Sequence, residues 1–345
     1  MKHDITTKSF KLSTCHSHAS VVGAGSWGIA LSTIMSQNGH SVNVYTRKKE
    51  AISAANLRHT HPQYKNIILS PLVSVTNDFM DISGENVIFL AVPSQELRNA
   101  LITAKNYINH SAILVIGCKG IENDTLLLMS DVIAEVLAPG VTVAVLSGPN
   151  FAVDIMKGLP SITTVASDNI ATFGLIQNLL NSEIFRVGYS SDVKGVQLCG
   201  AIKNVMAIAA GIIKGYNMGD NMHAAFMTCA ATEMMRTVVQ LGGNEKTVMS
   251  AAGIGDLILT CSTTTSRNMS FGYKLAVNQN LAKKELLAST VEGYATTLAL
   301  RNISIRQNIT MPICEAVYKI LYHYQDPKNL MVNAILSFPD TKFHF

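Results

Sequence analysis

Gly23-Ala24-Gly25-Ser26-Trp27-Gly28 follows the apolar run Ala19-Ser20-Val21-Val22 and opens a helical stretch continuing Ile29-Ala30-Leu31-Ser32. A GxGxxG set between strand and helix suits a dinucleotide. The first glycine allows the tight turn, the second lets backbone approach a pyrophosphate, and the third lets helix and strand pack closely. Free N–H groups and the dipole of the helix start then hold the phosphates. Alone, the motif could be a structural turn; the strand before it, the helix after it and the second strand Ser41-Val42-Asn43-Val44-Tyr45 favour dinucleotide binding. That second strand runs into Thr46-Arg47-Lys48-Lys49 rather than the Asp or Glu usual in an NAD site. Arg47 and Lys48 suit the 2′-phosphate of NADP. A solvated basic turn is the plainer reading; the expected cofactor is NADPH, with NADH still open.

Working outward, further apolar runs follow at Asn86 to Val92, Ala112 to Ile116, Val141 to Leu146 and Ile162 to Ala166, separated by helical segments. Fully apolar strands of this kind imply a mostly parallel sheet covered on both faces. After about residue 190 strand-like runs give way to long helical spacings, Val193 to Lys214 and Asn221 to Leu241. The fold class expected is α/β: an N-terminal Rossmann-like doubly wound sheet followed by an all-helical C-terminal domain. The divisions are a polar flexible tail over 1–19, a dinucleotide-binding domain over 20–190 and a helical substrate and catalytic domain over 191–345.

A chain of 345 residues with 48% hydrophobic and 14% charged residues has ample material for a large core. Its net charge of +4 is spread thinly, which argues against a nucleic-acid partner. The longest apolar run, Val205 to Ile213, is short of the ~20 residues that span a bilayer, so no transmembrane segment is expected. Six scattered cysteines without CxxC spacing fit reduced thiols in a cytoplasmic protein. His16 and His18 form the one pair resembling metal ligands; with no further ligands nearby they read as solvated, and no metal is expected.

In an open parallel sheet, ligands sit beyond the carboxyl ends of the strands. Three such ends are unusual: Val92-Pro93-Ser94, Gly117-Cys118-Lys119-Gly120 and Ser147-Gly148-Pro149-Asn150-Phe151-Ala152. Lys119 after an apolar strand points a cation across the crevice, although a glycine-flanked turn is the alternative. In the helical half, Val196, Cys199, Lys203, Met206, Ala210 and Ile213 follow helical spacing and place an ammonium inside an apolar stripe. A lysine there is costly unless it has a task or snorkels to the surface. Asp256 and Thr260, four apart, share a helical face and make Asp256 a natural partner for Lys203; alone, Asp256 could be a cap. Ser266 reads as an N-cap, with Arg267 and Asn268 at a helix start suited to a phosphate ester.

These pieces, in this order, resemble the NAD(P)-dependent glycerol-3-phosphate dehydrogenases of the bacterial type. The resemblance spans residues 20 to about 322. It rests on GAGSWG (23–28), VPS (92–94), CKG (118–120), SGPNFA (147–152), GVQLCGAIKNVMAIAAG (195–211), AGIGDLILTC (252–261), SRN (266–268) and VEGY (291–294). It implies reduction of dihydroxyacetone phosphate to sn-glycerol 3-phosphate, a phospholipid precursor. Lys203 would then be the general acid/base, tuned by Asp256 and Thr260, with Lys119 touching substrate and cofactor. Gly148, Asn150 and Asn204 match substrate contacts, and Ser266, Arg267 and Asn268 the phosphate-binding run. Gly23, Gly25, Ser26, Trp27, Gly28, Arg47, Lys48, Ala152, Arg267, Thr290 and Glu292 fall where the dinucleotide is touched. A homodimer is implied as well.

Some positions depart from the pattern. Thr290 stands where valine is commoner, and Met227-Thr228-Cys229-Ala230 replaces a segment usually reading ITRG, for which altered packing is expected. The leader is longer than usual, and the chain after Gln325 resembles the family only loosely. A β-hydroxyacid dehydrogenase is the enzyme alternative, but its lysine and asparagine usually stand four apart, whereas Lys203 and Asn204 are adjacent. A non-catalytic NADP sensor would not need Lys119, Lys203, Asp256 and Thr260 together.

Overall fold

The computed structural model describes residues 17–137 and 140–338. Ten strands are seen there: β1 (His18–Val22), β2 (Ser41–Tyr45), β3 (Thr60–His61), β4 (Tyr64–Ile68), β5 (Val73–Thr76), β6 (Val87–Leu90), β7 (Ile113–Ile116), β8 (Thr142–Ser147), β9 (Ser161–Ala166) and β10 (Phe185–Ser190). Eight form one sheet in the order β10-β9-β8-β7-β6-β1-β2-β5, while β3 and β4 make a separate hairpin. Every neighbouring pair in the large sheet is parallel except β8 with β9. Val87-Ile88-Phe89-Leu90 and Ile113-Leu114-Val115-Ile116 are buried at every position, as strands covered on both faces must be.

Chain order runs from β1 outward to β2 on one side and then to β6 on the other. This reversal opens a crevice past the carboxyl ends of β1 and β6. β1 begins at His18, which pairs in register with Ser41, and Ala19 is fully buried. The segment assigned to the tail therefore ends earlier than expected, because the parallel ladder to β2 recruits His18 and Ala19. His16, one half of the histidine pair, lies outside the described residues.

Beyond Ser190 the described chain is helical. The helix Val193–Gly215 is buried at every residue from Gly195 to Ile213, so the single apolar stripe understates it: the sheet covers it near its start and other helices cover the rest. Its length and composition would allow it to cross a membrane, but its apolar stretch is buried in the core of this half. The helix Arg267–Val277 lies in backbone contact with it: a Cβ on Gly272 would fall 2.0 Å from the Ile208 carbonyl oxygen, and one on Gly211 would fall 2.1 Å from that of Met269. Cys229 and Ala230, in the segment that departs from ITRG, are buried on the helix Asp220–Gln240 and serve packing. The five described cysteines are buried.

Candidate active site

Gly23 has φ +115°, a conformation open to glycine, and a Cβ on Gly28 would lie 1.8 Å from the Gly23 carbonyl oxygen. A Cβ on Gly25, by contrast, would meet nothing within 4 Å. The helix that follows, Ser26–Gln37, starts without a side-chain cap, so its first N–H groups face outward. Trp27 Nε1 is buried without a hydrogen-bond partner, beside Gly117. A tight turn, an open second glycine, an uncapped helix start and a waiting donor fit the pyrophosphate-bearing part of a nicotinamide dinucleotide.

The β3–β4 hairpin braces this loop. Buried His61 places Nε2 3.1 Å from the Ala24 carbonyl oxygen, while its Nδ1 accepts from the Gln63 backbone at 3.2 Å. That pattern assigns the ring proton to Nε2 in a neutral imidazole, and burial holds its pKa below the usual histidine value. Tyr64 donates from its hydroxyl to Ser26 Oγ at 2.8 Å. The sequence reading missed the hairpin because its strands are short and carry little apolar alternation.

Across the crevice, Lys203 Nζ donates to Asp256 Oδ1 and to Thr260 Oγ1, each at 2.8 Å, and Thr260 donates to Asp256 Oδ1 at 3.1 Å. Lys119 Nζ binds the other carboxylate oxygen, Oδ2, at 2.7 Å and the Gly148 carbonyl at 3.3 Å. Asp256 is the first residue of the helix Asp256–Ser262, following the π-helical turn Ala251–Gly255, so its carboxylate meets two ammoniums instead of capping. Burial alone would raise the Asp256 pKa; the ammoniums of Lys119 and Lys203 outweigh it and hold the carboxyl below its ordinary range. Burial pulls Lys119 down to about 8, with Asp256 opposing and Lys203 reinforcing. Gly200, in the same helix as Lys203, leaves room for this arrangement, since a Cβ there would come within 3.3 Å of Lys119 Cγ.

Two buried amides tie the surrounding elements together. Asn204 Nδ2 donates to the Lys119 carbonyl at 2.9 Å, Asn268 Nδ2 donates to Asn204 Oδ1 at 2.9 Å, and Gly293 N donates to Asn268 Oδ1 at 2.9 Å. The relay links the turn after β7, the core helix and the starts of the helices Arg267–Val277 and Glu292–Gln307. It also engages both ends of the Asn268 side chain. Glu292 accepts from the Ser94 backbone N–H at 2.9 Å and from the Ser94 hydroxyl; burial raises its pKa, with Ser94 and Arg267 opposing. Ser94 was visible as part of an unusual strand end, but its partner nearly two hundred residues away was not.

The other expected residues occupy the rim. Ser266 caps its helix by accepting from Met269 N at 3.3 Å, and Arg267 opens that helix with an exposed side chain. Asn150 donates to Ser161 Oγ at 2.7 Å and to the Ile162 carbonyl at 2.8 Å, while its Oδ1 is buried without a partner. Ala152 starts the short helix Ala152–Met156, and Thr290 is exposed two residues before Glu292. Arg47 and Lys48 are exposed just past β2, with Arg47 Nη2 3.4 Å from Glu96 Oε2, a partner the sequence did not suggest.

Family models described as the N-terminus and the C-terminus of NAD-dependent glycerol-3-phosphate dehydrogenase match residues 18–173 and 192–332. The chain belongs to the NAD-dependent glycerol-3-phosphate dehydrogenase family. It is 36% identical over 315 residues to a glycerol-3-phosphate dehydrogenase (NAD(P)+) of Syntrophobacter fumaroxidans, covering 89% of this chain and 92% of that one. Its counterpart in Caulobacter vibrioides is 38% identical over 305 residues, with 87% and 91% covered. The crystal structure of glycerol-3-phosphate dehydrogenase from Coxiella burnetii superposes with a TM-score of 0.88 at 30% identity, covering 92% of this chain and 98% of that chain. A family of NAD(P)-dependent dehydrogenases agrees with the glycine loop described above, and the solved relative shares both the sheet and the helical half.

Proposed function

We propose that this chain reduces dihydroxyacetone phosphate to sn-glycerol 3-phosphate at the expense of NADPH or NADH, reversibly, in the cytoplasm, and so supplies glycerol phosphate for phospholipid synthesis. One observation carries the reading: an ammonium in the core helix, held by Asp256 and Thr260, shares that carboxylate with Lys119, two residues past Gly117, which lies against Trp27 of the glycine loop. When bound, the nicotinamide supplies the hydride. Lys203 delivers a proton to the carbonyl oxygen as that oxygen gains charge, and in the reverse direction takes it back. Asp256 and Thr260 aim Nζ and restrict its rotamers, so the proton donor is already oriented when substrate arrives. Lys119, on the other carboxylate oxygen, adds a second cation beside the developing oxyanion.

The phosphate end is held by Arg267 together with the first N–H groups of its helix. Asn268 contributes there through its backbone, because its amide is already spent on Asn204 and Gly293. Gly148 and Asn150 line the substrate side of the turn after β8, and Ala152, Thr290 and Glu292 the dinucleotide side. A homodimer is part of this reading, checked by light scattering of the purified protein.

The test is oxidation of NADPH by purified protein with dihydroxyacetone phosphate, followed by absorbance, with NADH and substrate-free controls. Substrate-dependent loss of reduced cofactor is expected. Silence from folded protein that still binds NADPH would overturn the assignment and return weight to a hydroxyacid substrate or a sensor.

A further inference from the structure

We infer that Glu96 is a specificity-determining residue: through its pair with Arg47 it limits how strongly the chain favours a 2′-phosphorylated dinucleotide over the unphosphorylated one. The inference rests on the dehydrogenase reading above. In a doubly wound sheet the adenosine ribose lies at the carboxyl end of the second strand, where an acidic residue serves NAD and a cation serves NADP. Here that strand end carries Arg47 and Lys48 and no carboxylate. The missing carboxylate comes from elsewhere. Glu96 closes the turn Ser94–Glu96 beyond β6, and β6 and β2 lie on either side of β1, so both turns overhang the glycine loop between them. Arg47 Nη2 reaches Glu96 Oε2 at 3.4 Å across that gap.

The two partners differ in freedom. Glu96 stands on an anchored turn: Ser94 is held by Glu292, Gln95 donates to the Ile121 carbonyl at 2.7 Å, and Asn123 N donates to Gln95 Oε1 at 3.1 Å. Arg47 is long and its side chain is 79% exposed, against 47% for Glu96. An ion pair this exposed adds little to stability and exchanges readily. A 2′-phosphate therefore gains Arg47 only by drawing it away from Glu96, and then sits close to a carboxylate carried on an anchored turn. Unphosphorylated ribose meets no such repulsion, and its hydroxyls find in Glu96 an acceptor. Arg47, Lys48 and Lys49 pull toward the phosphorylated cofactor while Glu96 pulls back, giving a site that accepts both.

The test reads binding directly, without turnover. Trp27, the single tryptophan, lies in the glycine loop, so its fluorescence reports NADP+ and NAD+ binding to the substrate-free protein. Glu96→Gln removes the charge from an exposed side chain without threatening the fold. The expected result is NADP+ bound about 3- to 10-fold more tightly, NAD+ bound no more tightly than before, and a narrower difference from wild type at high salt. In an Arg47→Ala background the same substitution should move the NADP+ to NAD+ ratio less, because the competition for Arg47 is gone and only the direct repulsion between Glu96 and the 2′-phosphate remains. An unchanged ratio in Glu96→Gln, or weaker NADP+ binding, overturns the role given to Glu96 while leaving the dehydrogenase intact. Folded wild-type protein that binds neither dinucleotide overturns both.

Discussion

Lys203 and Asp256 meet at 2.8 Å inside the fold, and the carboxylate that holds Lys203 by one oxygen holds Lys119 by the other. Two ammoniums on one buried carboxylate leave an excess of positive charge there, which the proposed anionic substrate would offset. Lys203→Ala removes the proposed proton donor but touches nothing in the glycine loop. Turnover should fall by roughly 10²–10⁴-fold while NADPH affinity, read from Trp27 fluorescence, stays within about twofold. Wild-type turnover in this variant would remove Lys203 from the chemistry.

Asp256→Asn has a different signature. Replacing the carboxylate by a neutral amide leaves Lys119 and Lys203 buried without their counter-charge, and breaking a buried pair in this way costs about 3–5 kcal/mol. Unfolding in urea should show that loss together with a fall in activity, whereas Lys203→Ala removes one of the two cations and should cost less. Equal stability of Asp256→Asn and wild type would mean that the two ammoniums are solvated.

Arg267→Ala should act on substrate rather than on chemistry. Its exposed guanidinium opens the helix that carries Asn268, and losing a charge-assisted contact to a phosphate weakens binding by about 10- to 100-fold. Steady-state kinetics should place that change mainly in KM for dihydroxyacetone phosphate. Unchanged KM and kcat would place the phosphate elsewhere.

Much of this site was legible in the sequence because its parts are local. GxGxxG, the Lys203 spacing and the Asp256–Thr260 pair each lie within one turn or one helix, where period and spacing carry the information. The expected partnership of Lys203 with Asp256 is present in the geometry. Long-range partners were not legible: Glu292 on Ser94, Glu96 on Arg47 and His61 on Ala24 join segments whose proximity only the topology decides. In the fold, the sequence missed β5 and β10, whose faces are partly exposed and whose runs are mixed. It also took a helix buried on every side for one with a single apolar face, because Lys203 and Asn204 break its apolar run while remaining buried through their partners.

Lys119 should set the alkaline limit of the proposed reaction. Burial pulls its pKa down to about 8, so the ammonium that binds Asp256 Oδ2 is lost as pH rises through that value. An anionic substrate then meets one cation fewer, and kcat/KM for dihydroxyacetone phosphate should decline above about pH 8. Lys119→Arg keeps its charge throughout this range, so its alkaline limb should move upward even if its activity is lower overall, because the guanidinium has a different shape. A limb unmoved by the substitution would assign it to another group.

Glu233 offers a test of stability away from the crevice. It is fully buried on the helix Asp220–Gln240, where Oε2 accepts from Ile313 N at 2.8 Å and Oε1 from Cys314 N at 2.9 Å, at the start of the helix Pro312–His323. Burial pushes its pKa from the ordinary 4.5 up to about 7, against the opposing pull of those two N–H groups and of Arg236. In the unfolded chain the carboxyl ionises near 4.5, so between 4.5 and 7 the folded state binds the extra proton. The stability this group contributes is complete below 4.5, declines as pH rises through that window and is gone above 7, a loss of at most about 3 kcal/mol. Glu233→Gln cannot ionise and keeps one acceptor for the helix start, so its stability should lack this component of the pH dependence. Urea unfolding of both proteins on either side of the window gives the comparison, and the difference between them cancels groups that titrate in both. The variant should gain on wild type as pH rises; parallel pH profiles would show that the two backbone donors hold Glu233 ionised throughout.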